Sequence, residues 1–386
     1  MSITLSPELE QMRATMRKFV TKELEPLARI IDETGEVPDH VPALLAKNGY
    51  LGMRVDERYG GGGLGLAHYC LALEEFSRAH RVYTNIMGGS SGNTPLAIMR
   101  LGSDAQRDKY LAGLANGTLR AAFALTEPGS GSDSQSMKTK ATRVDGSWVI
   151  DGRKHYINGG DVADFIMVMA VTDSEKRGRG GVTAFIVERG TPGFTVTRSD
   201  TTMGSHAIRL AELTFENCRV DDTAVVGEVG EGFKIAMQSL TEGRLSVASS
   251  CIGISDRLLE MSTHYALQRT TFGKPLAERQ AIQWMLADSA MELAAARALV
   301  YATIEDVEKD VDTGSRPSMC KLYCSEMVGR IADRAVQVHG GMGIVQGFPV
   351  ERFYRDTRHY RIGEGSSEIQ RILISRDLFK KAKASS

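Results

Sequence analysis

The sequence predicts an α+β fold in which helical regions at both ends flank a β-rich middle. Apolar residues recur at helical spacing from Leu9 onward. Near Arg120 this period gives way to short apolar runs separated by turn residues, and it returns after Phe233. A chain of 386 residues is longer than one hydrophobic core usually supports. We therefore expect three units, which span residues 1–121, 122–230 and 231–386.

Helix signals dominate the first unit. Ser6 and Pro7 combine an N-cap with proline at the first helical position, and an apolar face follows. Ser103 and Gln106 form a capping box for a later helix that closes near Gly117. Further helices are predicted around Leu44 and Leu45 and over residues 66–76 and 110–114.

Short β-favouring runs define the middle unit. They cover residues 148–157, 165–172, 181–190, 194–200 and 210–220. Asp151 and Gly152 stand inside the first run, and Asp-Gly is a common two-residue turn, so we expect a β-hairpin there. The glycines of residues 227–233 do not follow a strand of a βαβ unit, so we predict no Rossmann fold.

The last unit returns to helices. One long buried helix face is predicted from residues at helical spacing: Ile282, Met285, Leu286, Ser289, Leu293, Ala296 and Val300. Arg316 and Pro317 begin another helix, because proline is well tolerated in a first turn. We find no internal repeat and no low-complexity tract in the sequence.

Composition argues against several classes of function. The chain has 47 basic and 48 acidic residues, scattered rather than clustered, so neither nucleic-acid binding nor membrane-surface binding is expected. No apolar run reaches the length of a membrane span. The 8 histidines form no metal-binding pattern, and we expect no metal site. Partners should be small molecules or other proteins.

The cysteines predict a reducing environment. There are 5, dispersed and without C-x-x-C spacing, so we expect free thiols in a cytoplasmic protein. Cys320 and Cys324 lie on one helical stretch, and we interpret them as ordinary helix-face residues, because a metal pair would need further ligands. The N-terminal stretch has the pattern of an amphipathic helix rather than a signal or transit peptide.

One glutamate stands between two glycines at a break between predicted helices. Gly363 and Gly365 permit backbone angles that other residues resist, so Glu364 can aim its carboxylate into a cavity. A carboxylate held in this way suits a catalytic base. The alternative is a helix-start glutamate favoured by the helix dipole, with Ser367 and Gln370 forming a capping box beside it.

Five motifs, in their order and spacing, resemble the acyl-CoA dehydrogenase family over nearly the whole chain. They are FALTEPGSGSDSQSMKTKA, GRKHYINGG, YALQRTTFGKPL, AVQVHGGMGI and IGEGSSEIQRILISR, at residues 123–141, 152–160, 265–276, 335–344 and 362–376. Each motif is weak alone, but together they are specific. The resemblance implies a helical N-terminal domain, a β-barrel middle domain and a C-terminal four-helix bundle, assembled as a homotetramer.

The resemblance also implies an activity. Enzymes of this family remove the α-proton of an acyl-CoA with a carboxylate and pass the β-hydride to N5 of FAD, giving a trans-2-enoyl-CoA. Glu364 falls at the position of that base. The base must lie within about 3 Å of a weakly acidic carbon and needs a raised pKa. The family supplies donors for the enolate from a flavin hydroxyl and from the N–H of the base, and electron-transfer flavoprotein is the expected electron acceptor.

Cofactor contacts are implied at motif positions. TEPGSGSD, residues 126–133, offers N–H groups and hydroxyls, although alone it is typical of a polar turn. Tyr156 stands where most members have tryptophan, and Asn158 where they have threonine. Arg269, alone a typical solvated helix-end residue, suits phosphate and belongs with Gln337 to segments that reach the FAD of a neighbouring subunit. The implied FAD contacts are Phe123, Leu125, Thr126, Gly131, Ser132, Tyr156, Asn158, Arg269, Thr271, Phe272, Gln280, Gln337, Gly340, Gly341, Ser366 and Glu368.

Substrate contacts are implied in less detail. Gly363 replaces a tyrosine that often precedes the base in straight-chain enzymes, which leaves room for a branched, cyclic or functionalised acyl group. Tyr83 and Met87 fall on the helix that usually lines the acyl chain. We interpret the nearby Arg81 as a surface residue rather than a contact to a polar acyl end. The implied substrate contacts are Ser132, Tyr83, Met87, Arg244, Gly363 and Gly365. The acyl group, medium-chain or bulky, is left open.

Glu242 is the competing base. Some family members place the base immediately before the arginine of this helix, but here that position is Gly243, before Arg244. One step along a helix turns a side chain by about 100°. We therefore rank Glu242 below Glu364.

Other activities stay open. GGSSG around Ser90 matches the G-x-S-x-G elbow of serine hydrolases, but its flanks are predicted helices rather than a strand and a helix. An acyl-CoA reductase or oxidase could use the same scaffold, because the direction of electron flow depends on potentials that the sequence does not give. A non-catalytic CoA-binding protein is disfavoured by the presence of Glu364, Arg269 and the loop at residues 126–133.

Overall fold

The computed structural model describes residues 5–384, so residues 1–4 and 385–386 of the predicted end units lie outside it. The α-helices of the N-terminal region are α1 (Pro7–Phe19), α2 (Ala28–Thr34), α3 (His40–Lys47), α4 (Leu66–Ser77), α5 (Arg81–Ser91), α6 (Asn93–Leu101) and α7 (Asp104–Asn116). Ser6 Oγ accepts a hydrogen bond from the N–H of Leu9 at 3.2 Å, and Ser103 and Gln106 form the expected capping box. These helix-start predictions are confirmed.

The middle region is a single mixed sheet. Its strands are β1 (Ala121–Ala124), β2 (Lys140–Val144), β3 (Ser147–Asn158), β4 (Phe165–Val171), β5 (Val182–Glu188), β6 (Phe194–Asp200), β7 (Leu210–Val220) and β8 (Val225–Val226). The order across the sheet is β6-β7-β3-β2-β4-β5-β8, and β1 pairs in parallel with β4. The five predicted β runs correspond to β3 through β7.

The hairpin predicted at Asp151 and Gly152 is wrong. Both residues lie inside β3, where the pairing with β7 is irregular. The turn uses the preceding Asp-Gly pair, Asp145 and Gly146, which joins β2 to β3 with φ of 51° and 78°. Positive φ at both central residues is what a type I′ turn requires. Gly152 meets a different need, because a Cβ there would come within 2.6 Å of the Thr139 Cα.

The sheet curves strongly and encloses a core. Trp148 on β3 and Phe185 on β5 are separated by two strands, yet their ring centroids are only 5.4 Å apart. Alternate residues of β4 face this core and a second one outside it. In the second core, Phe165 of β4 contacts Tyr110 of α7 with ring centroids 4.5 Å apart. The predicted order of a helical region, a barrel-like β region and a helical region is confirmed.

Helices form the C-terminal region. They are α8 (Gly232–Gln268), α9 (Gln280–Glu308), α10 (Arg316–His339), α11 (Pro349–Thr357) and α12 (Ser367–Ala384), and a hairpin of β9 (Thr270–Thr271) and β10 (Lys274–Pro275) follows α8. α10 lies against α8, α9 and α12, as a helical bundle requires. α8 also packs on α4, where Cys70 and Leu245 share one core. This packing joins the two ends of the chain.

The predicted buried face of α9 is only partly buried in the single chain. Its second half, from Ser289 to Val300, is buried as expected, whereas Ile282, Met285 and Leu286 are half-buried. Large apolar side chains nearby are exposed, including Phe272 at 97% and Trp284 at 61%. The β9–β10 hairpin and the start of α9 therefore present an apolar surface.

All five cysteines are free and buried: Cys70, Cys218, Cys251, Cys320 and Cys324. Cys320 Sγ lies 3.3 Å from the Thr303 hydroxyl between two helices, which is an ordinary packing position. Residues 5–384 contain no group of three or more side chains that could hold a metal ion. Over the same residues, no helix combines the length and the apolarity needed to cross a membrane.

Candidate active site

Glu364 lies in a tight break between two helices. A short 3₁₀ helix, Arg358–Arg361, follows α11, and α12 begins at Ser367. Glu364 has a φ of 55° and Gly365 a φ of 85°. Positive φ is ordinary for glycine but costly for glutamate. Strain of this kind persists only where surrounding contacts enforce it, and it is common at functional sites.

Two fully buried side chains enforce the break. Lys321 on α10 donates from Nζ to the Gly365 carbonyl at 2.7 Å. Gln370 on α12 donates from Nε2 to the carbonyls of Glu364 and Gly365 at 3.1 and 2.9 Å. Neither Lys321 nor Gln370 is exposed to solvent. Hydrogen bonds from buried donors are strong enough to offset the strain.

The capping box predicted for α12 is wrong. Ser366 precedes the helix, and its Oγ accepts from the N–H of Ile369 at 3.5 Å. Ser367 instead donates to Glu326 at 2.7 Å. Gln370 therefore supports the break that carries Glu364 rather than the N-terminus of the helix.

The Glu364 carboxylate faces α8 at Gly243. A Cβ added to Gly243 would lie 2.7 Å from Glu364 Oε2, so a side chain there would displace the carboxylate from its present position. Oε2 is buried and has no hydrogen-bond partner among residues 5–384. Burial raises the pKa of Glu364, and the positive charges of Arg244 and Lys321 only partly oppose that rise. A desolvated carboxylate without a partner can take a proton from a bound molecule.

Two residues near Glu364 could not be identified as site residues from the sequence. Lys321 is a lone lysine on a mostly buried helix, and Tyr69 is a lone tyrosine on α4. Burial raises the pKa of Tyr69, and the charges of Glu242 and Glu364 add to the rise. Only the packing of α4, α8 and α10 brings these side chains together, so the sequence could not predict their position.

Arg244 lies close enough to Glu364 for their charges to interact, and its role as a substrate contact stays a prediction. Its Nε is buried and has no hydrogen-bond partner in the described part of the chain. Burial lowers the pKa of Arg244, and the negative charge of Glu364 opposes that change. Both members of the pair thus keep free hydrogen-bonding capacity next to Gly243.

Glu242 has a different environment although it is adjacent in sequence. Arg54 donates from Nη1 to one carboxylate oxygen at 2.5 Å, and Arg100 donates from Nη2 to the other at 2.8 Å. Burial alone would raise the pKa of Glu242, but these two arginines outweigh it and hold the pKa below its ordinary value. Glu242 is therefore a poor proton acceptor, and the geometry favours Glu364.

The loop at residues 126–133 is fixed by a buried ion pair. Lys154 of β3 donates from Nζ to Glu127 at 2.8 Å and to the Leu125 carbonyl at 3.0 Å. Glu127 also accepts from the N–H groups of Lys138 and Thr139 at 2.6 and 3.0 Å. Neither Lys154 nor Glu127 is among the site residues that the sequence predicts. The pair leaves the tip of the loop exposed while its base is rigid.

Two segments predicted to contact FAD meet here. The N–H of His155 donates to the Thr126 carbonyl at 2.9 Å, which places Tyr156 next to the loop. Tyr156 has a φ of 57° at an irregularity in the pairing of β3 with β7, and its ring is 58% exposed, stacked on His155 at 4.0 Å. A Cβ added to Gly131 would contact nothing within 4 Å. An exposed aromatic ring beside an open, hydroxyl-bearing loop fits a flavin.

Other predicted cofactor contacts lie on the surface of the single chain. Phe272 has a φ of 48° at the tip of the β9–β10 hairpin. The exposed members are Ser132, Asn158, Arg269, Gln280, Gln337, Gly340, Gly341 and Glu368. The half-buried members are Phe123, Leu125, Thr126, Thr271 and Ser366. Exposure suits residues that contact another subunit.

The residues predicted to line the acyl chain are placed differently from Glu364. Tyr83 and Met87 are fully buried in the core of the N-terminal helices, and Tyr83 donates its hydroxyl proton to the Leu24 carbonyl at 2.8 Å. The structure does not bring the Tyr83 hydroxyl to the carboxylate. The interpretation of Arg81 as a surface residue is wrong, because it is buried over the ring of Tyr360 at 5.8 Å.

Ser90 has no hydrolase geometry. It lies inside α5 and is buried. Its Oγ accepts from the N–H of Gly52 at 3.2 Å and donates to the Met87 carbonyl at 3.1 Å. A nucleophile elbow needs a strand before the serine, and α5 follows α4 instead.

Family comparisons cover the chain in three parts. Models of the acyl-CoA dehydrogenase N-terminal, middle and C-terminal domains match residues 6–118, 122–218 and 230–379. An acyl-CoA dehydrogenase of Bacillus subtilis is 39% identical over 97% of this chain and 98% of its own length. An acryloyl-CoA reductase (NADH) of Anaerotignum propionicum is 38% identical over 99% of this chain and 97% of its own length.

Solved structures show the same fold. Butyryl-CoA dehydrogenase from Megasphaera elsdenii superposes with a TM-score of 0.93 at 34% identity, covering 98% of this chain and 100% of that one. A protein named PigA, in a structure with FAD and proline, superposes with a TM-score of 0.93 at 26% identity, covering 98% of this chain and 99% of that one.

Proposed function

This chain belongs to the acyl-CoA dehydrogenase family, and we propose that it oxidises an acyl-CoA thioester to a trans-2-enoyl-CoA with Glu364 as the base. The observation that carries the proposal is the buried Glu364 carboxylate, whose Oε2 has no hydrogen-bond partner among residues 5–384. In the proposed reaction Glu364 removes the α-proton from C2 of the acyl group. Its raised pKa makes the carboxylate more basic than an exposed one.

The same residue can bind the thioester carbonyl. The backbone N–H of Glu364 donates to no acceptor within residues 5–384. A free N–H next to the base can stabilise negative charge that develops on the thioester oxygen as the proton leaves. We propose that the break places both groups, the carboxylate and the N–H, against one substrate.

We propose FAD as the cofactor. When bound, it supplies the hydride acceptor of the reaction. Thr126, Ser132, Tyr156 and Asn158 would hold it on one chain, because the open loop and the exposed ring meet at a rigid base. The exposed Arg269 and Gln337 would reach the FAD of a neighbouring subunit, so we propose a homotetramer with shared sites. PigA, which binds FAD in its solved structure, supports this cofactor.

Small residues beside Glu364 favour a bulky acyl group. Gly363 is exposed, and a Cβ there would come no closer than 3.8 Å to any neighbouring atom, so its small size is not required by packing. We propose that the space beside Glu364 admits a branched, cyclic or functionalised acyl chain. Gly363→Tyr should slow oxidation of a branched acyl-CoA more than of butyryl-CoA, and equal slowing would contradict this assignment.

A spectroscopic experiment tests the proposed function. The purified protein should be yellow and should bleach anaerobically when a substrate acyl-CoA is added. A panel of straight, branched, cyclic and dicarboxylic acyl thioesters, followed at the flavin absorbance, would identify the substrate class. A colourless protein that also fails to take up FAD would refute the proposal.

An acyl-CoA reductase is a second candidate. The relative named acryloyl-CoA reductase supports it, and the raised pKa of Glu364 also suits proton donation to an enoyl-CoA. Oxidation and reduction differ in which side of the equilibrium is favoured: reduced protein with enoyl-CoA, or oxidised protein with acyl-CoA.

We propose electron-transfer flavoprotein as the acceptor for oxidation. A cytoplasmic location also stays a proposal, which the five free cysteines support.

A further inference from the structure

Lys321 is a buried lysine with one hydrogen bond and no carboxylate bound to it. Lys321 lies in the middle of α10, and its side chain is fully buried. Its Nζ donates to the Gly365 carbonyl at 2.7 Å, and no salt bridge pairs it with an acid among the described residues. Burying an ammonium group without an ion pair is costly, so its position needs an explanation beyond packing.

The contact is made to the strained part of the site. Gly365 immediately follows Glu364, and both have positive φ. The bond from Lys321 and the two bonds from Gln370 are the side-chain contacts that hold these carbonyls. A Cβ added to Gly365 would lie 2.7 Å from Gln370 Nε2, so a side chain at this position would displace the Gln370 amide.

The charged or titratable groups around Glu364 and Lys321 lie on five elements. Glu364 faces Arg244 of α8 and Lys321 of α10, and it affects Tyr69 of α4. Burial lowers the pKa of Lys321 to about 8, with Cys251 and Glu364 opposing the decrease. The further charged or titratable groups near Lys321 are Arg244, Glu326, His359 and Glu368.

We propose that Lys321 is a positioning residue for the reaction base, which it serves by fixing the strained Glu364–Gly365 backbone and by placing a buried positive charge near the Glu364 carboxylate. This inference rests on the proposed function of Glu364. Lys321 acts through Glu364. Gln370 also fixes the Glu364–Gly365 backbone, but it places no charge near the carboxylate, because an amide is neutral.

A direct titration of Glu364 tests the charge. The carbonyl stretch of a protonated carboxylic acid is visible in infrared difference spectra, and its absence in Glu364→Gln assigns the band. Lys321→Met keeps the length of the side chain and removes the charge, so the band should persist to a pH higher by about one unit or more. Lys321→Arg should restore the wild-type titration, while Gln370→Leu should leave the midpoint within about half a unit.

The outcomes separate the inference from the proposed function. An unchanged midpoint in a folded Lys321→Met protein overturns the inference, and so does a Gln370→Leu midpoint that moves as far as that of Lys321→Met. Neither result depends on turnover, so failure of the protein to oxidise any acyl-CoA would refute the function alone. If Lys321→Met does not fold, the more conservative Lys321→Gln is titrated in its place with the same expected shift.

Discussion

Glu242 lies on α8 and Glu364 faces the next residue of that helix, Gly243, but the two carboxylates have opposite environments. Two arginines bind both oxygens of Glu242 and lower its pKa. Glu364 keeps one oxygen without a partner, and burial raises its pKa. Proximity of a carboxylate to a site therefore does not make it a base. What matters is whether the structure neutralises the charge by pairing or leaves it desolvated.

The largest expected effect comes from removing the proposed base. Glu364→Gln keeps the shape of the side chain but cannot accept a proton, so the rate of anaerobic flavin reduction should fall by about 10³-fold. Stopped-flow absorbance measures it. Glu242→Gln is the matched control and should keep the rate within about threefold. A reversed result for the two variants would reassign the base to Glu242.

A crowding substitution should have the next largest effect. Gly243→Ala places a Cβ where the Glu364 carboxylate now lies, so the carboxylate must move and the rate of flavin reduction should fall by about 10². Gly363→Ala adds a Cβ at the residue that precedes Glu364, where the nearest neighbouring atom is 3.8 Å away. That variant should react nearly normally, and equal losses in the two variants would show that the carboxylate is not directed at Gly243.

Breaking the pairing of Glu242 should reduce stability. Arg54 is nearly buried, so Arg54→Met leaves a buried carboxylate with one remaining partner and should lower the free energy of unfolding by about 3 kcal/mol. Arg100 is half exposed, and Arg100→Met should cost less than about 1 kcal/mol. Urea unfolding measures the loss in the free energy of unfolding for each variant. Similar losses would mean that burial does not distinguish the two ion pairs.

The smallest expected effect concerns stability and pH. The folded-state pKa of Glu364 is raised, so its contribution to stability decreases as pH rises through that pKa. Glu364→Gln should therefore raise the melting temperature at neutral pH, because the amide is not desolvated as a charge. The folded-state pKa of Glu242 is lowered, so Glu242→Gln should lower the melting temperature at neutral pH and lose that effect as pH falls. Scanning calorimetry at several pH values distinguishes the two.

Local patterns were enough to predict the order of a helical, a β and a second helical region, whereas the barrel and the bundle were implied by the family resemblance. Helical periodicity and caps such as Ser6 and Ser103 located helices, and alternating β-favouring runs located β3 through β7. The hairpin was misplaced because the sequence contains two Asp-Gly pairs, and only their pairing partners decide which one turns. The glycine-flanked position of Glu364 was visible in the sequence because positive φ leaves a local signature.

Contacts between residues far apart in the chain could not be predicted from the sequence. Arg81 was expected at the surface, but its burial against Tyr360 depends on how α5 meets the end of the chain. Lys321 and Gln370 hold the break from two different helices. Lys321 belongs to no motif, and Gln370 was assigned to a capping box instead. The charge environment of a site is therefore less predictable than its backbone.

Proton exchange at C2 of a bound acyl-CoA tests the central claim most directly. In deuterated water under anaerobic conditions, the wild-type protein should introduce deuterium at C2, because Glu364 removes and returns that proton. Mass spectrometry of the recovered thioester should show this exchange in Glu242→Gln and its loss in Glu364→Gln. Exchange at the wild-type rate in Glu364→Gln would contradict the account, because another group would then be the base.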